Sequence, residues 1–256
     1  MTTKNLIAIA SFFASALFIG GCMDITGRGP APLDRTVNTT ERQTHPRVGY
    51  VFCMRGWLGI FSTGMDALAD KIDKQAGAPA VSVADEEWRR LQDWLVDQRN
   101  KGNLKDGPLV LLGHSYGADD MIRVSEALKQ HQMTVDLLVL LDPVTPPKVP
   151  TNVRRVYCVY KSHPLTDWYP AWRGVPADVE DPKVTELTNI DLRTATVGFN
   201  TDEINHVNVE KVDGVHNMIM EQIMKTCGER MAGAAHPSGL PMSAARGVPG
   251  ESGGRN

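Results

Sequence analysis

The sequence has no basic excess: 27 lysines and arginines face 30 aspartates and glutamates, leaving a formal charge of −3 over 256 residues. Nothing in that balance would draw the chain to a phosphate backbone, so nucleic acid is excluded as a partner. Cysteine is scarce, four residues with no C-x-x-C spacing, which removes the usual thiolate signature of a metal site. The apolar run from Leu6 to Gly21 is too short for a comfortable membrane span and has the length of a signal h-region. What is abundant, 42% hydrophobic residues, suits one globular domain with modest leftovers.

The leftovers are the two ends. Residues 1–22 carry Lys4, the apolar run, and then Ile19-Gly20-Gly21-Cys22. These four residues resemble the bacterial lipoprotein signal position by position, which implies a diacylglycerol on Cys22 and a membrane partner held through that anchor. Met23 rather than aspartate follows the cysteine, which in a Gram-negative cell implies an outer-membrane protein facing the periplasm. The alternative is a plain secretory signal. Residues 23–47 have little apolar periodicity and read as a tether. Residues 231–256 are rich in Gly, Pro, Ala and Ser and read as a disordered tail. A folded domain over 48–230 remains, and with it Cys53, Cys158 and Cys227, two of which could pair in an exported protein.

Within that domain, aliphatic strands alternate with helices. Strands are expected at 48–54, 78–83, 108–112, 135–141, 153–160 and 184–192. Helices are expected near 63–74 on Met65, Leu68 and Ile72, and near 85–100 on Trp88, Leu91 and Leu95 with Asp85 as cap. A third spans 116–131 through Ile122, Ser125, Leu128 and Lys129, and a last begins near Asp213 with Ile219, Met220, Ile223 and Met224 inward. Continuous aliphatic strands with helices between them predict a mostly parallel sheet covered on both faces.

Between the strand ending at 112 and the next helix lies Gly113-His114-Ser115-Tyr116-Gly117, a G-x-S-x-G sequence. In that context Ser115 occupies a sharp turn with its Oγ at the carboxyl edge of the sheet, and each glycine removes a side chain that would strike a neighbouring strand or helix. The competing reading is a Gly-flanked turn with Ser115 as a helix N-cap. The region over roughly 48–227 resembles the α/β-hydrolase superfamily, most of all small bacterial lipase- or thioesterase-like proteins. The resemblance implies a three-layer α/β-hydrolase fold with a reduced, mostly parallel central sheet, because little precedes the strand at 48.

A serine nucleophile needs a base, and the base needs an acid to hold its tautomer. His131 ends a helix, His163 follows a strand too closely and His236 lies in the tail, leaving His206 and His216. The family's position between last strand and last helix favours His206; His216 falls in the first helical turn. For the acid, Asp142 ends a buried strand before a proline, one strand from Ser115, as in the pancreatic-type lipases. Asp167, after the next strand, is the alternative. The resemblance further implies an oxyanion hole from the backbone amides of Tyr116 and of Trp57 or Leu58, with Arg55 standing where the family has histidine. No metal or redox cofactor is required. The expected function is a serine hydrolase cleaving carboxylic esters, its partner a small ester or acyl substrate. A thioesterase is the neighbouring activity, and a non-catalytic envelope lipoprotein that uses the cleft for binding is the alternative from another class.

Overall fold

The computed structural model describes residues 30–57, 62–163, 168 and 173–230. The lipidation candidate Cys22, Leu58, Asp167 and the tail from 231 onward lie outside the described residues.

Six strands, β1 (Tyr50–Met54), β2 (Ala80–Val83), β3 (Leu109–His114), β4 (Leu137–Leu141), β5 (Arg155–Tyr160) and β6 (Glu186–Asp191), form one sheet in the order β2-β1-β3-β4-β5-β6. Every pairing is parallel. The helices are α1 (Thr39–Thr44), α2 (Gly64–Lys71), α3 (Trp88–Asn100), α4 (Tyr116–Gln130) and α5 (Asp213–Thr226). α2 continues as a π turn over Ile72–Ala76 and stops at Gly77, whose φ of 72° is the left-handed conformation glycine tolerates best.

The central strands β1, β3 and β4 are buried throughout, yet their period of two still sorts them into two cores. Tyr50, Phe52, Leu109, Leu111, Leu138 and Leu140 pack on one face with Leu91 and Leu95 of α3 and Met121 and Leu128 of α4. Val51, Cys53, Val110, Leu112, Val139 and Leu141 pack on the other with Met65 and Leu68 of α2 and Ile219 and Ile223 of α5. Both faces of the central strands are thus dry, as a parallel sheet requires, and only the edge strand β6 is largely exposed.

Four expectations differ from the structure. Residues 30–47 are not a tether. Leu33, 2% exposed, joins the core below α3, Trp94 Nε1 donates to Asp34 Oδ1 at 2.9 Å, and Arg47 forms an antiparallel bridge with Glu229. Isolated apolar residues without periodicity gave no sign of this, because the contacts are supplied by distant parts of the chain. Asp85 does not cap α3: it lies in the 3-10 turn Asp85–Glu87 ahead of the helix, and burial together with the adjoining Glu86 pushes its carboxyl up to about 8. On α5 the fully buried residues are Val215, His216, Ile219 and Ile223, and Met220 packs against the same core as expected, whereas Met224 is 38% exposed. Cys53, Cys158 and Cys227 are separate buried thiols, so no disulfide links them, and burial pushes all three up from the usual thiol range.

In a parallel sheet all strands end at one edge, and the register decides which residues meet there. His114 pairs with Leu141 and Leu141 with Val159, so Ser115 and Asp142 leave neighbouring strands at the same level, with Lys161 just beyond.

Candidate active site

Ser115 sits between β3 and α4 with φ 58° and ψ −128°, a conformation a non-glycine residue holds only when its surroundings enforce it. Its amide donates to Leu141 O of β4 at 3.0 Å, which fixes the turn to the sheet. The flanking glycines are steric requirements. A Cβ on Gly113 would lie 2.3 Å from Gly117 O, and one on Gly117 would lie 2.2 Å from Arg55 O. The N-cap reading of Ser115 fails, since its side chain makes no capping bond to the helix.

The hydroxyl instead meets an imidazole. Ser115 Oγ lies 2.9 Å from His206 Nε2, and His206 Nδ1 lies 2.7 Å from Asp142 Oδ2. A carboxylate only accepts, so Nδ1–H of His206 donates to Asp142 and Nε2 keeps its lone pair for the Ser115 proton. Asp142 is 1% exposed and itself has a positive φ of 50°. Its second oxygen, Oδ1, accepts the Lys161 amide at 2.8 Å, so both sides of the buried carboxylate are satisfied. A Cβ at Gly174 would fall 1.7 Å from Oδ1, which explains a glycine there.

Of the two histidines and two aspartates left open by the sequence, the structure brings together Ser115, His206 and Asp142. His216 is buried elsewhere: its Nε2 donates to Glu210 O at 2.7 Å, and the Lys71 ammonium donates to its Nδ1 at 3.1 Å. Burial holds its pKa below the usual histidine value.

Tyr116 is the first residue of α4, so its amide lies at the positive end of that helix dipole beside the serine. The turn containing Trp57 is packed close to the same point, since a Cβ on Gly56 would lie 2.9 Å from Ser115 Cβ. A negative oxygen formed on a carbonyl attacked by Ser115 therefore has a helix terminus and a glycine-opened backbone turn around it.

One member of the arrangement was missed at the sequence level. His114, fully buried beside the serine, ties two loops to the sheet. The His206 carbonyl only accepts, so His114 Nε2–H donates to it at 3.0 Å, and His114 Nδ1 accepts the Ser62 hydroxyl at 2.8 Å. Burial, with the nearby His206 adding to it, lowers the His114 pKa to about 3. It is therefore neutral over the whole working range and acts as a fixed donor and acceptor. A histidine inside a strand-to-turn motif was the available signal, but its partners come from loops 52 and 92 residues away.

Behind this, Glu210 packs against the start of α2, where a Cβ on Gly64 would come within 1.8 Å of its Oε2. Burial pushes the Glu210 carboxyl up to about 7, against the opposing pull of the Lys211 ammonium 3.5 Å from Oε1. An acid whose folded pKa lies above its unfolded value stabilises the fold below about pH 4.3, and that contribution is lost as pH rises through the folded value. Glu210→Gln should therefore flatten the fall in stability between about pH 4.3 and 7 and raise stability at pH 8 by roughly 1–3 kcal/mol. Thermal unfolding across that range checks it, and an unchanged pH profile would contradict the assignment.

No protein-family model and no curated protein sequence matches the chain. Solved structures that it is similar to include the NocB thioesterase domain from the nocardicin cluster, at 12% identity and a TM-score of 0.44, covering 71% of this chain and 96% of that one. Another is a hyperthermophilic esterase from the archaeon Pyrobaculum calidifontis, at 18% identity and a TM-score of 0.29, covering 39% of this chain and 37% of that one. A third, described as a hydrolase of the alpha/beta superfamily from Xanthomonas campestris pv. campestris, has 15% identity and a TM-score of 0.37, covering 68% and 98%. The parallel six-stranded sheet, helices on both its faces and the strained serine turn after β3 give this chain the α/β-hydrolase fold.

Proposed function

We propose that this chain is a serine hydrolase that cleaves carboxylic esters through an acyl-enzyme. The observation that carries the reading is the line of contacts from Ser115 Oγ to His206 Nε2 at 2.9 Å and from His206 Nδ1 to Asp142 Oδ2 at 2.7 Å. Ser115 attacks the ester carbonyl while His206 Nε2 takes its proton, and the backbone amides of Tyr116 and of Trp57 or Leu58 hold the oxyanion. As the tetrahedral centre collapses, the bond to the leaving oxygen breaks and His206 returns the proton to it. Water then repeats the sequence on the acyl-enzyme and frees Ser115. Thioesters would pass through the same steps, but an exported enzyme would not meet coenzyme A.

The binding-only alternative would gain weight if no histidine stood beside Ser115; His206 within hydrogen-bond distance of it supports the catalytic reading. A fluorophosphonate probe tests the catalytic reading. It should form a covalent adduct on the peptide containing Ser115, and a folded wild-type chain that stays unlabelled with the site open would return the protein to the binding class.

We further propose that the protein is lipid-anchored through Cys22, in the envelope, and in a Gram-negative cell on the outer membrane facing the periplasm. The support is the Ile19-Gly20-Gly21-Cys22 sequence at the end of a short apolar run. Among the described residues no helix is long and apolar enough to cross a membrane. Labelled palmitate should enter the wild-type chain and not Cys22→Ala, which should move to the soluble fraction. Equal labelling of both chains would remove the anchor from Cys22.

A further inference from the structure

We infer that Lys161 is a positioning residue that holds the loop bearing His206 and the Asp142 carboxylate in one frame, an inference that rests on the catalytic reading above. The loop between β6 and the 3-10 turn Val209–Lys211 carries the base; Leu192 and Ile204 pack it into the second core, whereas its asparagine side chains bond only within the loop. Asn200 Oδ1 accepts the Asp202 amide at 2.8 Å, and Asn205 Oδ1 accepts the Val207 amide at 3.0 Å. Such bonds fold a loop without fixing it to the sheet.

Lys161 adds a charged attachment of the loop backbone to the end of β5, beside the His114 bond to the His206 carbonyl. An ammonium has three donors and no acceptor, and the Lys161 Nζ donates to Thr201 O at 2.6 Å, Asp202 O at 3.0 Å and Ile204 O at 2.8 Å. Three carbonyls from four consecutive residues converge on one charged group, and charge-assisted bonds of this kind are the strong ones. The backbone amide of the same residue donates to Asp142 Oδ1 at 2.8 Å. The next residue is anchored in turn, with the Ser162 amide 3.1 Å from Asp191 Oδ1 and its hydroxyl 2.5 Å from Asp191 Oδ2, at the end of β6. One residue at the end of β5 therefore orients the acid through its main chain and the base-bearing loop through its side chain. Together with the His114 bond to the His206 carbonyl, this sets the imidazole on a line between Asp142 and Ser115.

A side chain of similar length without donors leaves the three carbonyls to water and the loop free to shift. A displacement of about 1 Å at a catalytic group costs about 100-fold in rate. In the full-length chain, Lys161→Met should lower kcat for a short-chain aryl ester and the rate of fluorophosphonate acylation by about that factor, with KM within about threefold. Lys161→Ala should lose the same rate and regain much of it with added n-propylammonium. Tetramethylammonium, equally charged but without an N–H, should restore nothing.

If wild type is labelled and Lys161→Met turns over at the wild-type rate, the inference fails while the hydrolase reading stands. If wild type itself is not labelled, the hydrolase reading fails first. A rate loss matched by a rise in KM, and not relieved by n-propylammonium, would make Lys161 a general structural residue and overturn the inference. Should the Met and Ala variants fail to fold, Lys161→Arg decides, because a planar guanidinium keeps the charge but cannot aim at all three carbonyls. A reduced kcat at unchanged KM supports the positioning role, and wild-type kinetics overturn it.

Discussion

Ser115→Ala abolishes the fluorophosphonate adduct and lowers kcat by about 10⁵-fold or more, to the background that oxyanion donors and binding alone sustain. The size of the effect follows from the turn. Oγ is the atom held 2.9 Å from His206 Nε2, and alanine removes it without altering the glycines that shape the bend. Folding should be almost untouched. The backbone of Ser115 keeps its φ of 58° whichever small side chain it carries, and its hydroxyl makes no bond to the helix it precedes. A change in unfolding free energy within roughly 0.5 kcal/mol is expected. Ester hydrolysis by a purified Ser115→Ala chain at anything near the wild-type rate would remove Ser115 from the chemistry.

Asp142→Asn has the second-largest effect, about 10⁴-fold in kcat, and the structure supplies the reason that the amide cannot simply flip to avoid it. Asp142 Oδ1 accepts the Lys161 amide, so the one oxygen of asparagine is claimed on that side. The NH₂ group is then directed at His206 Nδ1, where the carboxylate now accepts. Two donors cannot face each other, and the imidazole responds by moving its proton to Nε2. In that tautomer it donates to Ser115 instead of accepting from it, and the base is lost although every heavy atom keeps its position. Steady-state kinetics on a variant shown to be folded measure the loss. A nearly active Asp142→Asn would mean that Asp142 is not the group orienting His206, and would bring Asp167 back into consideration.

These two substitutions also mark how far the residues could be assigned before the fold was known. Ser115 and Asp142 were legible because each ends an aliphatic run, and a parallel sheet brings such ends to one edge. His206 over His216 was a choice made from loop position. The structure supports it by burying His216 against Glu210 O, six residues before it, and Lys71, 145 residues away. Leu33 and Asp34 carried no pattern at all, yet they pack and bond on α3. Periodicity reports only what neighbours within one element share.

The alternation of buried strands with helices, the serine turn and the two glycines without which it would clash can all be read from the order of the residues. These are local matters, decided by chain stiffness, side-chain volume and a period of two or 3.6 residues. The tertiary structure alone decided which imidazole reaches Ser115, that His114 carries its proton on Nε2, and that the Lys161 ammonium gathers three carbonyls of a distant loop. Each of these is a hydrogen bond between segments 40 to 92 residues apart, and its geometry exists only once the sheet register has placed both ends.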